Sequence, residues 1–281
     1  MKFSSFLLAL IAPVATFAVE CLNEEFTTDP LNITAAESRR SLTTLRTRDL
    51  ITIDLWIHVI ASGPTADKGY VDATKILKQV DVLQRNFKKW GFQFQVKPLS
   101  YAINAEWAKD IDIQKEEKMK QLHRGDYQSL NVYLVEKANS GVCSLPDGTG
   151  ADIDQKKLDA DGCFVSLDAG TSDKSGTLTH EVGHWFGLLH VFQGGCDGDG
   201  DFCDDTAPQK APSYGKLATP GDLNSCPAKQ SCKAGSFDNV KNFMDYSDCC
   251  HEFTPCQGGR MMTAWTKYRK NRKIAAGVRW K

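Results

Sequence analysis

HEVGHWFGLLH, residues 180–190, is the stretch from which the rest of the chain is read. If the segment beginning near Thr177 is helical, His180 and His184 lie four residues apart, so both imidazoles share one face about one turn apart. Glu181 is offset around that helix from both. Its carboxylate is poorly placed as a third ligand but can reach a water held between the rings, the position of a base. Gly187 falls where a helix that must stop takes a residue tolerant of positive φ, and the turn returns His190 to the same point. Three neutral imidazoles leave one tetrahedral position open, the arrangement of one catalytic zinc ion rather than a closed structural one. The competing reading is a buried helix in which Val182, Trp185, Phe186 and Leu188 pack and the histidines only hydrogen-bond. Five fixed identities across eleven positions weigh against it.

A second stretch supports the first. In Asn242-Phe243-Met244-Asp245-Tyr246, Met244 is expected in a tight turn that gives the three-histidine site an apolar floor without ligating the ion. Tyr246 can bring a phenol to the open side of the metal, where it donates to the oxyanion of a tetrahedral intermediate; the plainer alternative is a structural tyrosine.

The 281 residues, 41% apolar and 25% charged, suffice for one sizeable core or two lobes sharing a cleft. A formal net charge of −1 argues against a general nucleic-acid or polyanion binder. Residues 1–18 read as a secretory leader: Lys2 gives the positive start, Phe6 to Val14 the apolar run, and Thr16 and Ala18 the small residues before cleavage. That run is too short to span a bilayer, and no later segment is apolar enough, so a secreted protein with no membrane partner is expected. All ten cysteines lie beyond the leader, and export favours disulfides over metal thiolates.

Residues 19–50 are polar, with a glycosylation sequon at Asn32 and a dibasic pair at Arg39-Arg40, and read either as a short pro-segment or as a plain N-terminal tail. Cys21 can be a thiolate that caps the open zinc position or a disulfide partner; parity of the remaining cysteines favours the latter. The catalytic domain is expected over 51–281, with an upper part at 51–190 and a lower part at 191–281.

Ile51 to Ile60 alternates as a first strand. Ile76, Val80, Leu83, Phe87 and Trp90 mark a helix closed by Gly91, and Phe92, Phe94 and Val96 a second strand. Met119 and Leu122 mark a charged helix closed by Gly125, Leu130 to Val135 a third strand, and Cys163 to Leu167 another before the histidine helix. Cys143 and Cys163 bracket a polar loop, and a local disulfide between them is expected. This order points to an α+β fold with a mixed sheet and packed helices. From Gln193 to Lys241 the chain is rich in Gly, Asp, Pro and Cys, a composition ordered by disulfides or ions. Asp197, Asp199 and Asp201 there can form a calcium site or a solvated acidic turn. Met261, Ala264, Trp265 and Tyr268 give a C-terminal amphipathic helix, with Lys267, Arg269, Lys270, Arg272 and Lys273 read as its solvated face.

HEVGHWFGLLH, the following FQGGC, Asp205-Thr206, NFMDYS and the closing QGGRMMTAWTKYR together resemble the pappalysin family of metzincins, in particular its secreted fungal-type metalloproteases. The resemblance spans about Ile51 to Arg269. It implies a zinc endopeptidase acting on proteins or peptides, with a twisted five-stranded mixed sheet and active-site helix above an irregular, disulfide-rich lower subdomain; a monomer is expected. By position it implies His180, His184 and His190 as ligands, Glu181 as general base, Met244 in the Met-turn and Tyr246 as its neighbouring tyrosine. It also implies the pairings Cys196–Cys232 and Cys226–Cys249, with Cys226–Cys250 left open. The chain is two residues shorter between Tyr246 and Phe253 than the family pattern, and Cys203, Cys250 and Cys256 are additional, so cleavage specificity does not transfer.

Overall fold

The computed structural model describes residues 28–45, 50–112, 115–136, 138, 141–214, 218–219 and 221–279. The leader and Cys21 lie outside the described residues. In chain order the elements are α1 (Ala35–Leu45), β1 (Ile51–Ala61), α2 (Ala73–Lys88), β2 (Phe92–Val96), β3 (Ser100–Ile103), α3 (Ala105–Lys109), α4 (Lys115–Leu122), β4 (Leu130–Val135), β5 (Gly141–Cys143), α5 (Gln155–Asp159), β6 (Cys163–Ser166), α6 (Leu167–Thr171), α7 (Thr177–Trp185) and α8 (Pro255–Ala264), which runs into a π-helical turn over Trp265–Arg269.

The sheet order is β2-β1-β4-β6-β5, with β3 pairing β1 beyond β2. β2 and β3 both run parallel to the eleven-residue β1, at its first and second halves, so the sheet is five rows wide although six strands build it. β4 and β6 continue in parallel, while β5 lies antiparallel to β6 and ends the sheet. Side chains along the central strands alternate between the two faces of the sheet, as a period of two requires. Ile53, Leu55, Ile57, Val59, Leu130, Val132, Leu134 and Val165 face one core with α2 and α7; Ile60, Tyr133, Val135 and Phe164 face a second with Trp107 and Met119. A sheet covered on both faces explains why β4 is buried along its whole length.

Between Trp185 and Pro255 no helix or strand is formed among the described residues. Disulfides Cys196–Cys232 and Cys226–Cys249 cross this segment, and Cys143–Cys163 joins β5 to β6. Sequence periodicity gave no sign of β3, β5 or the short helices α3, α5 and α6, which are too brief to display one.

Two sequence expectations change. The described residues 28–45 ahead of β1 are no loose tail: α1 packs along α8, and Leu31 and Ile33 are buried against Ala264. Arg39 and Arg40 sit inside α1, and Arg39 pairs with Asp204. The C-terminal basic residues are not all solvated either. Arg269 is fully buried, stacked 3.7 Å from the Trp185 ring centre and paired with Asp161 at 2.9 Å. Arginine serves here because its planar fork meets a carboxylate while its face covers an indole.

Candidate active site

α7 is nine residues long and buried throughout. It ends after Trp185, and Gly187 takes φ of 87°, its N–H donating to the His184 carbonyl at 2.7 Å while Leu188 N donates to Gly183 O at 3.0 Å. This left-handed ending closes the helix and redirects the chain. His190 thereby reaches the two helical histidines.

The three Nε2 atoms form a nearly equilateral triangle: His180 to His184 3.1 Å, His184 to His190 3.1 Å, and His180 to His190 3.2 Å. His180 Nδ1 lies 2.6 Å from Phe243 O and His184 Nδ1 lies 2.8 Å from Leu188 O. A carbonyl only accepts, so both Nδ1 atoms carry the proton and both Nε2 lone pairs point inward. Burial also holds His180 and His190 well below the usual imidazole range and His184 down to about 4, keeping all three neutral. Inward lone pairs crowded at this distance repel unless a cation lies between them. The donor set therefore fits a zinc ion: bonds of about 2.05 Å at tetrahedral angles separate nitrogens by about 3.3 Å.

The turn at Asn242–Tyr246 contributes more than an apolar floor. Met244 is fully buried under α7, and a Cβ on Gly183 would stand 2.6 Å from its sulfur. Phe243 supplies the carbonyl that orients His180, and Val191 N donates to Met244 O. The turn is held by the Asn242 amide oxygen accepting from Met244 N at 2.9 Å, and Asn242 in turn is gripped by Gln257 of α8 at 2.8 Å. Tyr246, also buried, places its hydroxyl 3.2 Å from His190 Nε2, and Phe192 stacks on the His190 ring at 4.7 Å.

Glu181 is buried, and the terminal strand β5 passes so close that a Cβ on Gly141 would lie 2.5 Å from its Oε1. Beside His184 and His190 opens a cavity of about 240 Å³ walled in part by Val142, Leu145, Phe164, Leu189 and Gln193. Neither Phe243 O, Gly141 nor Gln257 was legible as a site residue. Each acts through backbone position or a long-range contact that carries no local sequence signal.

The acidic run does not gather into a calcium site. Asp201 is buried, accepting from Cys203 N, Thr206 and Gln257, and burial raises its carboxyl to about 6. Asp197 and Asp199 are exposed, and among the described residues they join no metal-capable cluster. Asn32 is exposed with φ of 48°.

Comparison with known proteins points the same way. The peptidase family model described as pregnancy-associated plasma protein-A matches residues 114–266. An extracellular metalloprotease of Podospora anserina is 35% identical over 262 residues, covering 89% of this chain and 86% of that protein. Extracellular metalloprotease 1 of Coccidioides posadasii is 36% identical over 231 residues, covering 78% of each. Among solved structures, mature mirolysin of Tannerella forsythia, in complex with a cleaved peptide, superposes with a TM-score of 0.60 at 20% identity, covering 76% of this chain and 91% of that one. At that identity the likeness speaks for the fold.

Proposed function

Because the chain belongs to the pregnancy-associated plasma protein-A, or pappalysin, family and is a zinc metalloprotease, we propose that it is a secreted endopeptidase in which Glu181 is the general base. The observation that carries this reading is the triangle of inward-facing Nε2 atoms with Glu181 on the same helix. His180, His184 and His190 would hold the ion. A zinc ion bound there would lower the pKa of water toward about 7 and would polarise the scissile carbonyl.

The protein's own groups supply the rest. An extended substrate lies along β5, whose edge closes the sheet beside Glu181 and offers backbone hydrogen bonds to a peptide. Glu181 takes a proton from the attacking water and delivers it to the leaving amine nitrogen. Tyr246 aims its hydroxyl at the oxygen that gains charge during attack. The cavity beside His184 and His190 receives one substrate side chain.

Export is supported by the leader-like start and by the relatives' names as extracellular proteins. The packing of Leu31, Ile33 and α1 against α8 supports counting residues from 28 onward within the catalytic body, which ends in the lower segment at 191–281.

Casein digestion by the purified protein, with and without a chelator, tests the reading. Activity should vanish on chelation and return with zinc. Glu181→Gln should keep one zinc per chain yet lose about 10²- to 10⁴-fold in kcat; undiminished turnover in that variant would remove Glu181 from the mechanism.

A further inference from the structure

Behind the catalytic centre, the loop that follows His190 meets the first turn of α8. Two thiols converge there. Cys203 and Cys256 are both buried, and their sulfurs and an Asp205 carboxylate oxygen all lie within 4.8 Å of one another. Neither backbone is free to drift. Cys203 N donates to Asp201 Oδ1 at 3.2 Å and its carbonyl accepts from Thr206, while Cys256 N donates to Asp205 Oδ2 at 2.8 Å. Gln257, locked in the capping box of α8, donates to Asp201 Oδ2 at 3.1 Å and so clamps the same loop to the same helix.

We propose that Cys203 and Cys256 are joined by a fourth disulfide, tying the loop after His190 to the N-terminus of α8 in the exported protein. The inference rests on the export reading above, since the bond needs an oxidising compartment. By thiol–disulfide exchange, the two thiols lose two protons and two electrons, one S–S bond forms, and a disulfide-bearing oxidant is reduced to two thiols. The rival occupant of such a cluster is a soft divalent ion on two thiolates and Asp205. The surroundings disfavour it. Asp205 is exposed, its Oδ2 already accepts from Cys256 N at 2.8 Å, and an oxidising compartment favours a disulfide over metal thiolates. Metal ligation needs thiolates, whereas a disulfide removes the ionisable groups altogether.

The bond would close a longer stretch of chain than the separations of 20, 36 and 23 residues already bridged, and longer closures restrain the unfolded chain more. It would also brace the helix whose Arg260 Nε donates to Gly187 O at 2.9 Å, so the clamp acts on the turn that delivers His190.

The test is alkylation of the secreted, denatured protein without reductant, followed by digestion and mass spectrometry. A linked peptide pair containing Cys203 and Cys256, about 2 Da lighter than the two free peptides together, is expected. The double variant Cys203→Ser with Cys256→Ser should bind one zinc, as the unaltered protein does, and melt roughly 5–10 °C lower. Alkylation of Cys203 and Cys256 while the other three pairs stay linked overturns the proposal. So does a second zinc per chain that Cys203→Ser abolishes. Alkylation of all four pairs overturns it as well, whereas recovery of the full chain only from inside the cell would bring down the export reading, and this bond with it.

Discussion

Tyr246 sits within 3.2 Å of His190 Nε2 yet has no place in the ligand triangle, so its contribution should separate cleanly from metal binding. Tyr246→Phe removes one hydrogen-bond donor from a buried aromatic position and leaves the ring packing against Phe192 intact. Zinc content should be unchanged and kcat should drop about 10²- to 10³-fold, the usual cost of one oxyanion donor. Atomic absorption alongside steady-state kinetics distinguishes the two effects: equal kcat would make Tyr246 a packing residue. The histidines and the glutamate could be read as candidates from their spacing within residues 180–190, and the tyrosine only from the separate stretch at 242–246. The tautomers could not be read. They are set by Phe243 O and Leu188 O, carbonyls that any residue type could supply.

One helix meets the site through a narrow contact. α7 approaches the Asn242–Tyr246 turn so closely that residue 183 has room only for a hydrogen. Gly183→Ala must push the Met244 sulfur aside or lift the helix, and overpacking of this kind costs about 1–3 kcal/mol. A lowered melting temperature together with weakened zinc affinity is expected, since Met244 and Phe243 move as one turn; a variant as stable and as metal-avid as the parent would show the turn to be pliant. Within the sheet, His58 of β1 is buried between Ser100 of β3 and Asn131 of β4. Burial lowers its pKa to about 4, against a partial upward pull from Asn131. The unfolded chain takes up that proton near 6.5, so its contribution to stability is complete above about 6.5 and lost as pH falls toward 4. His58→Gln should therefore flatten this acid limb of a denaturation curve measured from pH 7 to 4, and a slope identical to the parent's would assign the limb to other groups. Strands β1 and β2 could be read from alternation, and β4 and β6 were also legible as strands. β3 and β5 could not, because three or four residues at a sheet edge show no periodicity, and only their partners define them.

At the scale of the whole molecule, the zinc motif is supported from behind by the start of the described chain. Arg260, fully buried, donates through Nε to Gly187 O and through both terminal nitrogens to Asp29 at 2.8 and 2.6 Å. Burial pushes the Asp29 carboxyl up, but Arg260 and the N–H groups of Leu31 and Ile33 outweigh it and hold it below its ordinary value. Asp29→Ala leaves a buried guanidinium without its counter-charge and should cost about 3–5 kcal/mol, with loss of activity at temperatures the parent survives. Thermal denaturation followed by residual-activity measurement checks this, and an unshifted melting point would show that Arg260 finds compensation elsewhere. The sequence by itself determined the metal chemistry, the central strands and the irregular cysteine-rich segment after His190, because local spacing and composition dictate which faces a helix or strand presents. Only the tertiary structure decided that residues 28–45 belong against α8, that Arg269 is interior, that Asp201 turns inward instead of joining its acidic neighbours, and that Cys203 faces Cys256. Those arrangements depend on desolvation and pairing between residues dozens to hundreds of positions apart, and no local pattern encodes which distant partner will satisfy a buried charge.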